Sequence, residues 1–223
     1  MEVIARLTGS DRHPQAARFD KETNTNRLAM PTRHSARIVL VVPTFPKLSE
    51  TFICNKFVRL VEAGFDVRIA CSTFDDRAWR MFDVLRENPA LRRRIHVTRA
   101  SANRGLAVLL APLALSLVLL RNPGSLLRLW KRFGIGAARR AYLHAHVLST
   151  RADILHVEFG TLARDFGYLR EMLPCRLVVS FRGFDLNFAG LDIDNFYSTV
   201  WETAAAIHVL GEDLRQRAIT RGC

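Results

Sequence analysis

The apolar positions of the chain recur in short blocks that predict buried strands. Five blocks are rich in β-branched and other apolar residues, and the first of them, residues 36–43, is an almost continuous apolar run. A continuous apolar run of this length is typical of a parallel strand that is covered on both faces. We expect such strands over residues 36–43, 66–72, 153–159, 175–181 and 206–210, with a shorter one at 94–99.

Between the predicted strands the apolar positions follow a helical period. The clearest helix has Ser49 as its expected N-cap and Gly64 as its expected C-terminal stop. Its predicted apolar face consists of Phe52, Ile53, Phe57, Leu60 and Val61. Further helices are expected over residues 75–87, 162–172, 195–203 and 211–221. Strands that alternate with helices predict a doubly wound parallel sheet, that is, a Rossmann-like α/β fold.

The two ends of the chain set the expected domain. Residues 1–35 show no sustained apolar period, so we expect a mobile, disordered leader there. Residues 36–223 then form the predicted domain. The sequence ends directly after the last predicted helix, and we expect one α/β domain without a second Rossmann-like half.

A basic, apolar helical insertion at about residues 104–150 interrupts the alternation. Its residues 105–120 are almost uninterruptedly apolar and include Pro112. A membrane-spanning helix needs about 20 apolar residues, so this run is short for one. Three interpretations stay open: a buried helix pair hinged at Pro112, a segment that dips into a membrane interface, or a true span.

The charge balance draws attention to the same region. The chain carries a formal net charge of +12, from 33 Lys and Arg against 21 Asp and Glu. Residues 88–152 hold twelve basic residues and no acidic one, which leaves 21 basic residues elsewhere to balance the 21 acidic ones. Such a confined excess indicates a cationic face that meets a lipid or nucleic-acid surface, or else arginines on solvated helix faces.

The remaining composition indicates a globular, reduced protein. The apolar content is 49%, which argues against a disordered chain. Four scattered cysteines form no CxxC pair, and Cys71 and Cys175 fall in apolar runs, where buried thiols are expected. The first 35 residues contain no apolar signal-peptide core. We therefore expect a cytoplasmic location.

Polar and charged residues directly follow three of the predicted strands, at the edge where parallel sheets bind their ligands. The first loop contributes Thr44, Lys47, Ser49, Glu50 and Thr51; the second contributes Glu158 and Gly160; the third contributes Arg182, Gly183 and Asp185.

These residue types suit an anion or a sugar. The amides of residues 50–52 are expected to be free at a helix start, where they favour an anion or a sugar hydroxyl. The Arg182 guanidinium can bind a phosphate or a uronate with two hydrogen bonds, or can pair with Asp185 or Glu158. The Glu158 carboxylate can accept a proton, or only a hydrogen bond, from a substrate hydroxyl.

Metal and nucleotide-cofactor sites are not expected. His144 and His146 stand two residues apart on a predicted helix and therefore point to different sides. His156 is expected to pack inward. The sequence contains neither GxGxxG nor GxxxxGKS/T, which disfavours dinucleotide and P-loop chemistry.

Four stretches follow one another in a recognisable order and spacing: FPKLSETFI, DILHVEFG, VVSFRGFDL and IHVLGEDLRQRAITRGC. Over residues 38–223 this pattern resembles the N-terminal domain of GT-B fold glycosyltransferases of family 4, of the colanic-acid and exopolysaccharide type. Many relatives have histidine where this chain has Glu158 and Arg182, so these two residues do not inherit a histidine's role.

The resemblance implies an enzyme of two Rossmann-like domains that transfers a sugar from a nucleotide-sugar donor to a glycan or lipid-linked acceptor in cell-surface polysaccharide biosynthesis. Such enzymes retain the anomeric configuration and need neither a metal nor a further cofactor. The N-terminal half shapes the acceptor side of the cleft. The C-terminal donor domain is absent from this sequence, so the chain alone is expected to be incomplete for catalysis.

Within this interpretation Glu158, Arg182 and Asp185 are the expected catalytic residues, and the first-loop residues with Gly160 and Gly183 are the expected substrate-binding residues. Enzymes of this kind work at the inner face of the cell membrane, which implies a peripheral location there. The stretch LLRLWKRF at residues 126–133 suits an anionic membrane surface, because each nearby cation contributes about 1 kcal/mol. No nucleic-acid partner is expected. The alternative is a membrane-binding or scaffolding α/β module without catalysis.

Overall fold

The computed structural model of the chain describes residues 2–5, 36–97, 104–166 and 168–223. Within these ranges each predicted strand is present, and one more lies near the N-terminus. The strands are β1 Glu2–Ala5, β2 Arg37–Phe45, β3 Asp66–Phe74, β4 Ile95–Val97, β5 Ile154–Val157, β6 Arg176–Ser180 and β7 Ala206–Val209.

The seven strands form one sheet in the order β1-β7-β6-β5-β2-β3-β4. β2 to β7 run parallel to one another, and β1 is antiparallel to β7. The chain proceeds from β2 outward to β3 and β4, then returns to the other side of β2 with β5, β6 and β7. The order therefore reverses between β2 and β5, as in a Rossmann-like sheet. The predicted fold class is confirmed.

The central strand β2 is buried on both faces. Val39 and Val41 belong to one core cluster, whereas Leu40 and Val42 belong to the other. Successive side chains of a strand point to opposite faces, so one continuous apolar run supplies both cores. This double burial is what the sequence pattern predicted.

Helices cover both faces of the sheet. They are α1 Thr51–Glu62, α2 Asp76–Met81, α3 Asp83–Arg86, α4 Arg104–Arg121, α5 Pro123–Phe133, α6 Gly136–Leu148, α7 Gly160–Phe166, α8 Leu169–Met172, α9 Gly183–Asn187, α10 Ser198–Thr203 and α11 Glu212–Thr220. The helices expected over 75–87 and 162–172 are each divided in two, the one expected over 195–203 begins only at Ser198, and α9 was not predicted.

The C-terminus of α1 follows the prediction. Gly64 has a φ of +87°, which favours glycine over residues with a Cβ. The Gly64 amide donates to the Val61 carbonyl at 2.9 Å, and the Phe65 amide donates to the Leu60 carbonyl at 3.1 Å. These two bonds satisfy carbonyls that the helix end leaves open.

The insertion forms three helices rather than a pair hinged at Pro112. Pro112 lies inside α4, and the break falls at Asn122, where α4 and α5 meet with a bend of 118°. Pro123 explains this position, because a proline lacks an amide hydrogen and disfavours helical geometry at the preceding residue. The interpretation with a hinge at Pro112 is therefore wrong, because the helix breaks at Asn122 instead.

The interpretation of residues 105–120 as buried, one of the three left open, holds for only part of the described side chains. Val118 is buried, and Ala114 and Leu115 pack partly against the core. In contrast, Leu113 is 71% exposed and Leu120 is 80% exposed. Within the described residues no single helix has the length and apolar character to cross a membrane, although the bent pair Leu110–Arg121 and Pro123–Phe133 has them when taken together.

The N-terminal strand corrects the expectation of a mobile leader for residues 2–5. β1 pairs with the edge strand β7, with Glu2 opposite Val209 and Ala5 opposite Ala206. The apolar residues of this strand are Val3, Ile4 and Ala5, and the sequence analysis grouped them with the polar residues that follow. Residues 6–35, and the part of the predicted strand 94–99 that follows Val97, lie outside the described residues.

The cysteines are free thiols. Cys54 and Cys71 are fully buried, and burial raises the pKa of each thiol to about 12. Cys175, which was expected to be buried like Cys71, is only half-buried.

Candidate functional site at the reversal of strand order

The reversal of strand order between β2 and β5 creates the place where such sheets bind ligands. The loops that follow these two strands lead to helices on opposite faces, which opens a crevice beyond their carboxyl ends. β6 lies beside β5, so the loops after β2, β5 and β6 meet at one edge of the sheet. These are the same three loops in which the sequence analysis placed the candidate site residues.

A buried carboxylate, Glu158, lies at the centre of this edge. It follows β5 and is 0% exposed. Lys56 of α1 donates to both carboxylate oxygens, at 2.7 and 2.9 Å. Arg182, which follows β6, donates to the same carboxylate from Nη2 at 3.1 Å. Three separate elements therefore meet at one carboxylate.

The surroundings of Glu158 keep it ionised. Burial alone raises the pKa of a carboxyl group, but His156, Lys56 and Arg182 outweigh burial and hold the pKa of Glu158 below its ordinary value. Burial lowers the pKa of His156 to about 4, so this ring is neutral near pH 7. At neutral pH the ammonium and the guanidinium thus stabilise the carboxylate. A carboxylate with a lowered pKa is a weak base, so the geometry favours a role for Glu158 in holding the two cations.

A chain of hydrogen bonds beside this cluster links β5, β6 and β7. His156 Nε2 lies 3.8 Å from the Glu158 carboxylate and 2.8 Å from Ser180 Oγ. Ser180 Oγ lies 3.0 Å from His208 Nδ1. His156 thus joins a polar chain, although the sequence predicted a packing role for it.

Arg182 combines a fixed position with unused hydrogen-bonding capacity. Its guanidinium lies over the Phe52 ring, 4.2 Å from the centroid. Its side chain is 12% exposed, and its Nε is buried without a hydrogen-bond partner among the described residues. An unsatisfied buried donor on a cation is a natural partner for an anionic ligand.

Asp185 connects two loops instead of facing the crevice. It is 1% exposed. Its carboxylate accepts hydrogen bonds from the Arg182 amide at 2.8 Å, the Thr161 amide at 2.9 Å and the Thr161 hydroxyl at 3.0 Å. These three bonds and its burial give Asp185 a positioning role in this structure, and the catalytic role expected for it stays a prediction.

The loop after β2 differs from its prediction at the start of α1. Ser49 lies exposed within a 3₁₀ turn, Leu48–Glu50, and α1 begins at Thr51 without a side-chain cap. The Glu50 amide already donates to the Lys47 carbonyl at 2.9 Å. The N-cap role of Ser49 and the free amide of Glu50 are therefore wrong, because the 3₁₀ turn precedes the helix and uses these groups.

The same loop nevertheless reaches the edge formed by the loop after β5. Lys47 pairs with Glu50 at 2.7 Å. A cavity of about 370 Å³ lies between the two loops, lined by Pro43, Lys47, Glu50, Phe159, Thr161 and Leu162. Thr44 is half-buried on β2, and Thr51 is exposed at the first turn of α1. Lys47, Glu158 and Arg182 thus lie at one edge of the sheet, but only Glu158 and Arg182 are in contact.

The two glycines of the predicted site have different surroundings. A Cβ on Gly160 would lie 2.2 Å from the Phe181 ring, so this glycine permits close packing between α7 and the end of β6. A Cβ on Gly183 would meet only Asn187, at an ordinary 3.7 Å. Gly160 is therefore required by the protein interior, whereas Gly183 leaves room beside Arg182.

Comparisons of the chain with protein-family models, with curated proteins and with solved structures return no match.

The sequence analysis missed Lys56, Ser180 and His208. Lys56 lies one turn after Phe52 on the first helix after β2, within reach of the carboxyl edge of the sheet, and this placement was the available signal. Ser180 and His208 interrupt apolar strands at directly paired positions of β6 and β7. Matching polar residues on neighbouring predicted strands would have indicated their contact.

Proposed function

We propose that this chain is the acceptor-side domain of a retaining, metal-independent glycosyltransferase of the GT-B fold. It would act in the transfer of a sugar from a nucleotide-sugar donor to a glycan or lipid-linked acceptor. The observation that carries the proposal is the cationic cluster at the reversal of strand order. Its position coincides with three of the four sequence stretches that resemble the family.

The charge of the cluster supports an anionic ligand. Lys56 and Arg182 meet a single ionised carboxylate, which leaves a net charge of +1 in a crevice with little solvent. The departing group in transfer from a nucleotide sugar is a phosphate ester, which gains negative charge as the bond to the sugar breaks. A preorganised guanidinium stabilises such developing charge, and Glu158 keeps that guanidinium in place.

Exposed aromatic rings beside the cluster support a sugar ligand. Phe184 and Phe188 of α9 are 66% and 70% exposed, and their rings stack with centroids 6.1 Å apart. Phe52 is 38% exposed and lies under Arg182, although the sequence placed it on the buried face of α1. Flat apolar rings near a few fixed polar groups are the usual lining of a small-molecule site.

Binding of inorganic pyrophosphate, measured by titration calorimetry, tests the anion site. Replacing Arg182 with Gln removes a charged hydrogen-bond donor, and we expect affinity to fall roughly 10- to 100-fold. Arg176→Gln is the matched control, because Arg176 lies exposed at the opposite end of β6 and should bind no ligand of this site. Equal losses in both variants would show that only general surface charge attracts the anion.

Sugar transfer requires a separate assay. A full-length version, in which this chain is continued by a C-terminal donor domain, is incubated with labelled UDP- and GDP-sugars and with extracted lipid and glycan acceptors, and label in the acceptor fraction is measured. We expect transfer that Arg182→Gln lowers and Arg176→Gln leaves unchanged. Absence of transfer from every donor, with pyrophosphate binding intact, would reject sugar transfer by this chain.

A membrane-docking role is supported by a different observation. We define the docking surface as the exposed apolar residues of α4, α5 and the turn after α5: Leu113, Leu117, Leu119, Leu120, Leu127, Trp130 and Ile135. Exposed Arg121, Lys131 and Arg139 accompany these residues. Apolar side chains flanked by cations suit an anionic lipid leaflet, which would place the protein at the inner face of the cell membrane.

Vesicle sedimentation tests this role. We expect binding to equimolar phosphatidylcholine and phosphatidylglycerol vesicles but weak binding to phosphatidylcholine alone. Trp130→Ala should weaken the binding, whereas Met81→Ala should not, since Met81 is similarly exposed on α2 outside the docking surface. Lipid binding without any sugar transfer would favour a non-catalytic membrane module.

A further inference from the structure

A second cavity, of about 600 Å³, lies at the β4 edge of the sheet between β4, α4 and α6. This volume falls in the range of small-molecule pockets, about 300–1,000 Å³. It shares no lining residue with the cluster around Glu158. We call it the β4-edge cavity.

The wall of the β4-edge cavity is largely apolar. Ile95 and Val97 contribute from β4, and Leu110, Leu113 and Leu117 contribute from α4. Leu113 is 71% exposed and Leu117 is 38% exposed, so the cavity opens to solvent along this face of α4. An apolar chain can therefore contact these leucines from the solvent side.

The formal charge among the described lining residues of the cavity is positive. Among its described lining residues Arg121 is the cation, and none is a carboxylate. A second guanidinium is close by, because Arg151 Nε donates to the Arg121 carbonyl at 2.7 Å. Burial lowers the pKa of His96 below its ordinary range and that of His146 to about 3, so both rings are neutral near pH 7.

One polar atom of the cavity lacks a partner. His96 Nε2 is buried and has no hydrogen bond with any described residue. A buried polar atom without a partner is destabilising unless a ligand or water satisfies it. The cavity thus combines an apolar wall with a cation.

We propose that the β4-edge cavity binds a single-chain anionic amphiphile, with its apolar chain against Leu113 and Leu117 and its head group at Arg121. The shared chemistry is one long hydrocarbon chain with a terminal carboxylate or phosphate. The proposal is independent of sugar transfer.

Four ligands with the same chain length test the head group: laurate, dodecyl phosphate, dodecanol and dodecyltrimethylammonium. Their displacement of cis-parinaric acid is measured below micelle-forming concentrations. We expect the two anions to bind roughly tenfold more tightly than dodecanol, and the cation to bind least. The stronger of the two anions identifies the head group. Equal binding of all four ligands, or binding of none, overturns the proposal.

Two pairs of variants locate the site. Leu113→Asp places a charge in the cavity wall and should abolish binding, whereas Leu120→Asp, on the same helix outside the cavity, should not. Arg121→Gln should reduce the affinity for anions to that for dodecanol, and Arg139→Gln, on α6 outside the cavity, should leave it unchanged. These positions are exposed, so the variants are expected to fold.

Vesicle binding separates this proposal from membrane docking. Leu113→Asp and Leu120→Asp both alter the docking surface and should weaken vesicle binding alike. Equal losses of laurate binding in the two variants would instead show surface adsorption only, and would overturn the cavity proposal.

Discussion

Replacement of Glu158 with Gln tests the electrostatic centre of the candidate site. The amide has nearly the same shape as the carboxylate, but it has no charge and carries two N–H donors in place of one acceptor oxygen. Lys56 lies within 2.9 Å of both oxygens, and Arg182 lies 3.1 Å from one of them. The variant therefore leaves two cations beside a donor that neither can use.

The burial of this cluster sets the size of the effect. The side chains of Lys56 and Arg182 are 20% and 12% exposed, so water can compensate little. Breaking a buried ion pair by removing one partner destabilises a protein by about 3–5 kcal/mol. For a chain of this size that loss corresponds to a fall in Tm of roughly 6–20 °C.

The effect has a defined pH dependence. Because the pKa of Glu158 is lowered in the folded protein, its contribution to stability is present above the ordinary carboxyl value of 4.5 and is lost as pH falls through the lower folded value. The difference in unfolding free energy between wild type and Glu158→Gln should therefore be largest near pH 7 and shrink in acid.

Urea unfolding at several pH values measures this difference. Glu171→Gln is the matched control, because Glu171 pairs with Arg132 at the surface, where the two side chains are 38% and 48% exposed. An exposed pair contributes at most about 1 kcal/mol. If Glu158→Gln were no more destabilising than Glu171→Gln, or if its effect did not depend on pH, the assignment of an ionised, buried carboxylate would be refuted.

Three further predictions concern other parts of the fold. Gly160→Ala should lower stability by about 1–3 kcal/mol through the clash with Phe181, whereas Gly183→Ala should leave stability unchanged and weaken pyrophosphate binding, as thermal unfolding and calorimetry would reveal. Ser180→Ala leaves one nitrogen of His156 and one of His208 unpaired and should lower the free energy of unfolding by about 1–3 kcal/mol, measured as a lower urea midpoint with an unchanged m-value. Cys54 and Cys71, whose pKa values are raised to about 12, should react with a thiol reagent at pH 8 only after unfolding.

The strands could be predicted from the sequence because the apolar pattern of a buried strand is contained within a few consecutive residues. A run such as residues 38–42 is apolar at every position, and only a strand buried on both faces requires that. The contact between Glu158 and Arg182 was also accessible, since both follow parallel strands and must lie at the same edge. This contact could be expected because strands that alternate with helices run parallel, so that all their carboxyl ends lie at the same edge of the sheet.

The features that the sequence did not reveal depend on contacts across long distances in the chain. Lys56 and Glu158 are 102 residues apart. The position of Lys56 one turn after Phe52 indicated that it lies near the carboxyl edge of the sheet, but not that Glu158 is its partner. The exposure of α4 could not be predicted for a similar reason. An apolar run does not indicate which face of the helix packs against the rest of the protein. Asn122-Pro123-Gly124 was a readable stop signal, yet the only hinge considered, in one of the three open interpretations, was at Pro112.

The three hydrogen bonds to Asp185 have a consequence for engineering. The Asp185 carboxylate accepts hydrogen bonds from the Arg182 amide after β6 and from the Thr161 amide at the beginning of α7. The two loops are therefore held by the same side chain. They will shift as one unit, and a loop transplanted from another protein will lose its anchor unless its neighbour is transplanted with it. Chimeras at this edge should therefore exchange residues 158–161 and 182–185 together as one cassette.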